Sequence, residues 1–305
     1  MRLRRLLRAR RYDAVEIHRP EALPLIAWAC RRERVRAVRV RGDMRPVRAD
    51  PLNRYLYRRV LYGTVASNTA IERSLRERLG PGARIVTIHG GVDPGVFRPE
   101  GPRDDVRGSL GFPPGAFLVG ILGRLGEVKG HDQFLAAARM ALSRVSGARF
   151  VILAKEETPR LEDLRRRVEA DPVLRGRVGF LGHRPDLPAV LRAFDLGVVA
   201  STGSEANCRV GLEWMASGVP LVGTRVGVLP DLVAEGETGA LVPPGNASAL
   251  ADRIVYLAAR PGEARAWGEA ARRRVLERFT TEGCARRHLA FLFPERCSDG
   301  HDSLV

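Results

Sequence analysis

The chain has 305 residues, 45% hydrophobic and 28% charged, the make-up of a globular protein with room for two domains of ordinary size. Its apolar runs are strand-length, which excludes a helix of roughly 18 apolar residues spanning a bilayer. The four cysteines are scattered without disulfide or metal spacing, which points to a reducing compartment and a cytoplasmic location.

Residues 1–11 carry six arginines, with Leu3, Leu6 and Leu7 at helical spacing. That pattern suits either an interfacial helix on an acidic lipid surface or an amphipathic helix packed on its own domain. No apolar segment of the signal-peptide kind follows the charged start. Next come a strand at 14–17, a helix at 21–31 with Pro24 in its first turn, and a strand at 35–40. A turn-rich loop, Arg41 to Pro46, leads to an arginine-rich helix at 52–62 and a short strand at 64–67. Thr69 and Glu72 read as a capping box opening a helix that Gly80 stops, and a strand follows at 84–88. Alternating strand and helix indicate a parallel sheet.

A connector rich in glycine and proline, 92–99, follows His89-Gly90-Gly91. We read 1–91 as one domain and 100–280 as another, with a terminal helix over 281–297 and a disordered tail over 298–305. Adjacent Gly90 and Gly91 permit positive φ and close approach of a ligand, which makes both cleft candidates. Asp104-Asp105 reads as a helix start.

In the second domain a strongly apolar strand at 117–122 runs into Gly123-Arg124-Leu-Gly-Glu-Val-Lys129-Gly130 and then a helix. Two separated cations on a strand-to-helix loop suit a diphosphate. Arg124 can fork two oxygens, and Lys129 adds a point charge. The loop is neither a Walker loop nor G-x-G-x-x-G. The plainer alternative is a turn with two solvated cations.

Strands recur at 150–153, 178–181, 196–200, 220–223 and 240–242. Gly182, His183 and Arg184 follow the second of these on the carboxyl edge, where backbone groups can read a base. The segment Ser201 to Gly218 follows the 196–200 strand. Glu205 falls on its loop and Glu213 early in the next helix. Ionised carboxylates accept from sugar hydroxyls, and the free N–H groups at a helix start suit a phosphate. Two surface glutamates, solvated or salt-bridged, are the alternative. Cys208 lies in the same loop with no base beside it in sequence, so its backbone counts for more than its sulfur.

The formal net charge of +16 raises the question of nucleic acid. The basic residues are almost all arginine, Lys129 and Lys155 excepted, and are spread over the chain without interleaved aromatics for base stacking. No nucleic-acid partner is expected.

Taken together, GRLGEVKG, FLGHRPD and SEANCRVGLEWMASGVPLVGTRVGVLPDLVAEGETGALVPPGN resemble family 4 of the glycosyltransferases, the group 1 glycosyltransferases. The likeness runs from about Ala83 to the C-terminus, and IHGGVDPGVFRP resembles the family's inter-domain link. It implies the GT-B fold, an α/β architecture of two Rossmann-like parallel-sheet domains facing a cleft. It also implies retaining transfer of a sugar from a nucleotide-diphosphate sugar to an envelope polysaccharide, lipopolysaccharide or glycolipid acceptor. Glu205, Arg124 and Lys129 would be catalytic. Arg124 and Lys129 would hold the diphosphate and offset leaving-group charge, and Glu205 would meet the donor sugar. Gly123, Gly182, His183 and Arg184, Ala206, Asn207, Cys208, Arg209 and Val210, and Glu213 would complete the donor site, Glu213 on the ribose. No metal and no cofactor is implied, and the usual acceptors imply peripheral contact with the inner face of the membrane.

The chain departs from the family pattern in three places. Ala206 stands where glycine is frequent. The loop that often carries a histidine near the sugar reads Arg41-Gly42-Asp43, so Arg41 and Asp43 become cleft candidates, and His18, one strand earlier, does not take that role. Only the second half of the expected N-terminal domain is legible, without its glycine-rich acceptor loop. A late start, a segment supplied elsewhere, or a remnant that binds nucleotide sugar without transferring it would each account for this. A half-sheet would also leave an open strand edge.

Overall fold

The computed structural model describes residues 2–101, 104–109, 111, 113, 115–154 and 158–297. The expected tail at 298–305 and Lys155 lie outside them. The chain separates into two compact units, residues 1–90 with the segment from Thr281 onward, and residues 91–280.

The first unit runs α1 (Arg2–Arg10), β1 (Ala14–Ile17), α2 (Leu23–Arg32), β2 (Arg36–Arg41), α3 (Pro51–Tyr55), β3 (Gly63–Ala66), α4 (Thr69–Leu79) and β4 (Ile85–Thr87). Its strands pair in parallel in the order β1-β2-β3-β4. The arginine-rich helix is shorter than expected, because α3 gives way to a π-helical turn, Leu56–Val60. Helix α1 packs on α2 with Leu7 buried, while Arg4 and Arg8 each place Nε 2.6 Å from a Glu33 oxygen. The capping box is not formed. Asn68, one residue earlier, caps α4 by accepting from the Ile71 N–H at 2.8 Å. Glu72 instead accepts from the Thr87 hydroxyl and from Arg76.

The second unit runs α5 (Asp104–Ser109), β5 (Phe117–Leu122), α6 (His131–Leu142), β6 (Ala148–Leu153), α7 (Pro159–Ala170), β7 (Val178–Leu181), α8 (Leu187–Arg192) and β8 (Leu196–Val199). It continues through α9 (Arg209–Ala216), β9 (Leu221–Thr224), α10 (Leu229–Leu232), β10 (Gly239–Val242), α11 (Ala247–Ala258) and α12 (Pro261–Arg278). Six parallel strands lie in the order β10-β9-β8-β5-β6-β7. One core layer joins Val119, Ile121 and Val198 to Phe134 of α6 and Ile254 of α11. The other joins Leu118 and Val151 to Trp214 of α9 and Val275 of α12. Burial on both faces explains why these strands read as unbroken apolar runs.

The connector is anchored within this unit. The Val92 N–H donates to the Phe279 carbonyl at 2.9 Å. Arg272 donates to the carbonyls of Phe97 (2.6 Å), Ala216 (2.8 Å) and Pro94 (2.9 Å). The positive φ that paired glycines permit is not used at Gly90 or Gly91.

The chain then returns. Helices α13 (Thr281–Leu292) and α14 (Pro294–Cys297) belong to the first unit. Right-handed crossovers put α2, α3 and α4 on one face of its sheet. The other face, with Val38, Val40, Val65 and Val86, is covered by Phe291, Leu292 and Phe293. Glu16 of β1 accepts from His288 of α13, with Nδ1 2.6 Å away.

Candidate functional site

In the second sheet the chain leaves β5 in both directions, first toward β6 and β7, then across to β8, β9 and β10. The carboxyl ends of β5 and β8 therefore flank the topological switch point, where open α/β sheets bind ligands. A cavity of about 790 Å³ lies there. The loop after β5 supplies Gly123, Arg124 and Lys129, and the loop after β7 supplies Gly182, His183 and Arg184. Ser201, Ser204, Glu205 to Val210 and Glu213 come from the loop after β8 and from α9.

Two glycines bring these loops together. Gly130 has φ +75°, and a Cβ there would lie 1.9 Å from the Ala200 carbonyl oxygen. Gly227 has φ +56°, and a Cβ there would lie 1.9 Å from the Glu205 carbonyl oxygen. Only glycine adopts these angles at little cost and leaves the space empty. Hydrogen bonds complete the clamp. The Thr202 N–H donates to Val128 at 2.9 Å, the Val228 N–H to Glu205 at 2.8 Å, and the Thr224 hydroxyl to Ser201 at 2.6 Å.

Glu205, 5% exposed, is held from two sides. Its Oε1 accepts from Lys129 Nζ at 2.5 Å and from Ser201 Oγ at 2.5 Å. A single buried carboxylate oxygen thus takes a cation and a hydroxyl. The Lys129 side chain is partly exposed to the cavity. Arg124 is exposed at the mouth. Arg184 forks the Asp186 carboxylate at 2.8 Å through both nitrogens. Burial raises the Glu213 carboxyl above its ordinary range, and Arg209 opposes the shift.

Cys208 takes left-handed angles, φ 39° and ψ 59°, just before α9. Burial, followed by the Glu205 charge, pushes its thiol up to about 12. The sulfur is therefore no thiolate nucleophile at neutral pH. The Cys208 backbone turns the chain into α9, whose first turn carries no acidic residue and no side-chain cap. The positive end of that helix is left facing the cavity.

Every donor-site candidate named from the sequence lines this one cavity, along with all three catalytic candidates. Arg41, Asp43, Gly90 and Gly91 are not among its lining residues. Arg41 lies in the first unit, buried, donating to the carbonyls of Asp43 (3.2 Å) and Arg45 (2.5 Å). Asp43 grips Arg45, which holds its carboxyl down at about 2. Both side chains therefore brace their own loop. Sequence reasoning missed Ser201 and Gly227. The available signals were a hydroxyl at a strand end and a glycine in the turn after β9.

Two parallel-sheet α/β units, one with a ligand cavity at its switch point, define the GT-B class of folds. Solved structures bear this out. Alr3699/HepE of Anabaena, in complex with UDP, matches with a TM-score of 0.81 at 24% identity, over 97% of this chain and 81% of its own. A glycosyltransferase of Rickettsia africae ESF-5 matches with a TM-score of 0.83 at 19% identity, over 96% and 79%. The C-terminal domain of LpcC, a group 1 family protein of Francisella tularensis, is 26% identical with a TM-score of 0.55, over 62% of this chain and 99% of its own.

Residues 116–260 match the family model of the group 1 glycosyl transferases. The chain carries a group 1 glycosyltransferase domain. Among its relatives is the D-inositol 3-phosphate glycosyltransferase of Mycolicibacterium paratuberculosis, 35% identical over 188 residues, 60% of this chain and 41% of that protein. The corresponding Mycobacterium tuberculosis (strain F11) protein is 36% identical over 179 residues, 57% of this chain and 36% of that protein. The chain thus spans about two fifths of the length of these curated relatives.

Proposed function

We propose that the chain transfers a sugar, with retention of configuration, from a nucleotide-diphosphate sugar to an envelope polysaccharide, lipopolysaccharide or glycolipid acceptor. The observation that carries this reading is the Lys129–Glu205 pair at the switch point. An arriving diphosphate competes with Glu205 for Lys129. Once Lys129 turns to the phosphates, the buried carboxylate is left to accept from sugar hydroxyls. The same charge offsets the leaving nucleotide diphosphate as the bond to the sugar breaks. Arg124 at the mouth adds a second cation, and the start of α9 adds its N–H groups. Glu213, half-buried on the cavity wall, suits the ribose hydroxyls, and the Gly182 to Arg184 loop suits the base. Neither a metal nor a cofactor enters this scheme.

Uridine is the first base to try, because the HepE neighbour was solved with UDP and with UDP and glucose. The acceptor class extends the reading to peripheral contact with the inner face of the membrane. Support for this comes from the arginines of α1 and from the exposed Leu6, Leu25 and Trp28 of the first unit.

The test is thermal unfolding and calorimetry with UDP, GDP, ADP and their sugar conjugates. One nucleotide is expected to stabilise the chain by about 2.7 kcal/mol at a hundred times its Kd. Lys129→Ala should lose that effect, and Glu205→Ala should lose transfer while keeping the fold. Unchanged binding and transfer in both variants would sink the assignment. Nucleotide binding without turnover by the parent chain would favour a binding module over a transferase.

A further inference from the structure

The second unit holds another cavity, at the opposite end of α9 from the donor site. It measures about 300 Å³ and is lined by Arg192, Ser217, Arg265, Glu269 and Arg272, with Pro99 in its wall. Here the C-terminal ends of α8 and α9 meet α12 and the connector.

Three observations on this cavity converge. Among the described residues, none of its three arginines has a carboxylate within 4.0 Å. Arg272 is spent on the carbonyls of Pro94, Phe97 and Ala216, and Arg192 donates to the Glu100 carbonyl. The acidic groups facing them are Glu269 on the wall and Glu100, which acts on Arg272 at longer range. The cations therefore outnumber the carboxylates. Second, Ser217 is 2% exposed, and its buried hydroxyl has no hydrogen-bond partner. Third, Arg192 Nε is buried and unpartnered as well.

Buried polar atoms are ordinarily satisfied. Arg192 Nε can only donate, and the Ser217 hydroxyl can donate as well, on a cavity ringed by cations. The missing partner is thus an acceptor carrying negative charge. The negative end of α9 does not oppose it fully, because Arg272 already covers the Ala216 carbonyl.

We propose that this cavity is a second anion site, taking a small phosphate-bearing ligand. The phosphoryl oxygens accept from the Ser217 hydroxyl, from Arg192 Nε and from the forked guanidinium of Arg265. The ligand relieves like-charge repulsion among arginines that also clamp the connector, so binding stabilises the second unit. The site is independent of the donor cavity and stands or falls without the transferase reading.

Inorganic phosphate is the probe, titrated against the full chain at constant ionic strength with chloride as the balancing anion. Thermal unfolding and calorimetry are the readouts. Phosphate is expected to raise the parent's midpoint and to do so equally in Lys129→Ala. Arg265→Ala, at an exposed position, and Ser217→Ala are expected to weaken phosphate about tenfold or more, the factor that one charge-assisted hydrogen bond accounts for. Circular dichroism checks that both variants fold. Three results would overturn the proposal. One is no phosphate effect beyond chloride, which leaves the cavity to water. Another is equal affinity in Arg265→Ala and the parent. The last is loss of the effect in Lys129→Ala, which assigns the phosphate to the donor cavity.

Discussion

Glu205 and Lys129 meet because two residues beside them have no side chain. Gly227 is the sharper case, since a Cβ there would sit 1.9 Å from the Glu205 carbonyl oxygen on a backbone already at φ +56°. Gly227→Ala must move the loop after β9, the loop after β8, or both. It is expected to cost about 2 kcal/mol or more, combining left-handed strain with overpacking. Urea unfolding measures the loss, and a nucleotide titration should show weaker binding in the same variant. A midpoint within error of the parent would mean that the loops yield freely and do not hold Glu205. Ser201 belongs to the same argument. Its hydroxyl shares Oε1 of Glu205 with Lys129, so the carboxylate stays satisfied on one side when Lys129 turns to a phosphate.

At the scale of elements, two helices carry histidines that respond to pH in opposite directions. His131 begins α6, buried, with Nε2 lacking a partner. Burial lowers it to about 4, Asp132 opposing and Arg160 and Lys129 assisting. Its folded value lies below the ordinary one, so the unfolded chain takes the proton first. Stability is therefore lost as pH falls from about 6.5 toward 4, by about 2 to 4 kcal/mol across the window. His288 on α13 is raised to about 9, by hydrogen bonding to Cys284 and to Glu16. Its folded value lies above the ordinary one. That stabilisation is complete below about 6.5 and is lost as pH climbs through about 9. Urea midpoints against pH should show both flanks. His131→Gln should flatten the limb between about 6.5 and 5, before carboxylates titrate. His288→Gln should flatten the alkaline limb alone. Flanks unchanged in the two variants would assign the pH response to other groups.

Across the whole molecule, the arginine excess reads differently once its partners are known. Arg31, Arg36, Arg58, Arg76, Arg107, Arg272 and Arg274 all donate to backbone carbonyls. Others pair with Glu33, Asp132 or Asp195. Much of the charge is thus structural, satisfying carbonyls at helix ends and in loops. The return of the chain to its first unit is the other feature at this scale. Phe291 and Leu292 close the sheet face carrying Val38 and Val65, and Tyr62 meets Phe291 edge to face at 6.2 Å. Phe291→Ala is expected to cost about 2–3 kcal/mol, at the low end for a core aromatic because the ring is only partly buried. Chemical denaturation measures it. A loss below about 0.5 kcal/mol, the range of ordinary surface changes, would mean that α13 lies loosely on the sheet.

Much of this protein was legible in its sequence because the signals are local. Strands buried on both faces show as short apolar runs, and their alternation with helices implies a parallel sheet. The loops leaving β5 and β8 are legible in the sequence with their cations and carboxylates, and they line one cavity. Local rules failed where two neighbours compete for a role, as when Asn68 rather than Thr69 caps α4. Other features had no sequence signal at all. The order of the six strands makes β5 and β8 neighbours, and with that Lys129 reaches Glu205 across 76 residues. The orphaned Ser217 hydroxyl, the buried Arg41 that braces its own loop, and the sheet face that α13 covers are of the same kind. Periodicity records only whether a residue is buried. Which distant residue it is buried against follows from packing, and that was decided by the tertiary structure alone.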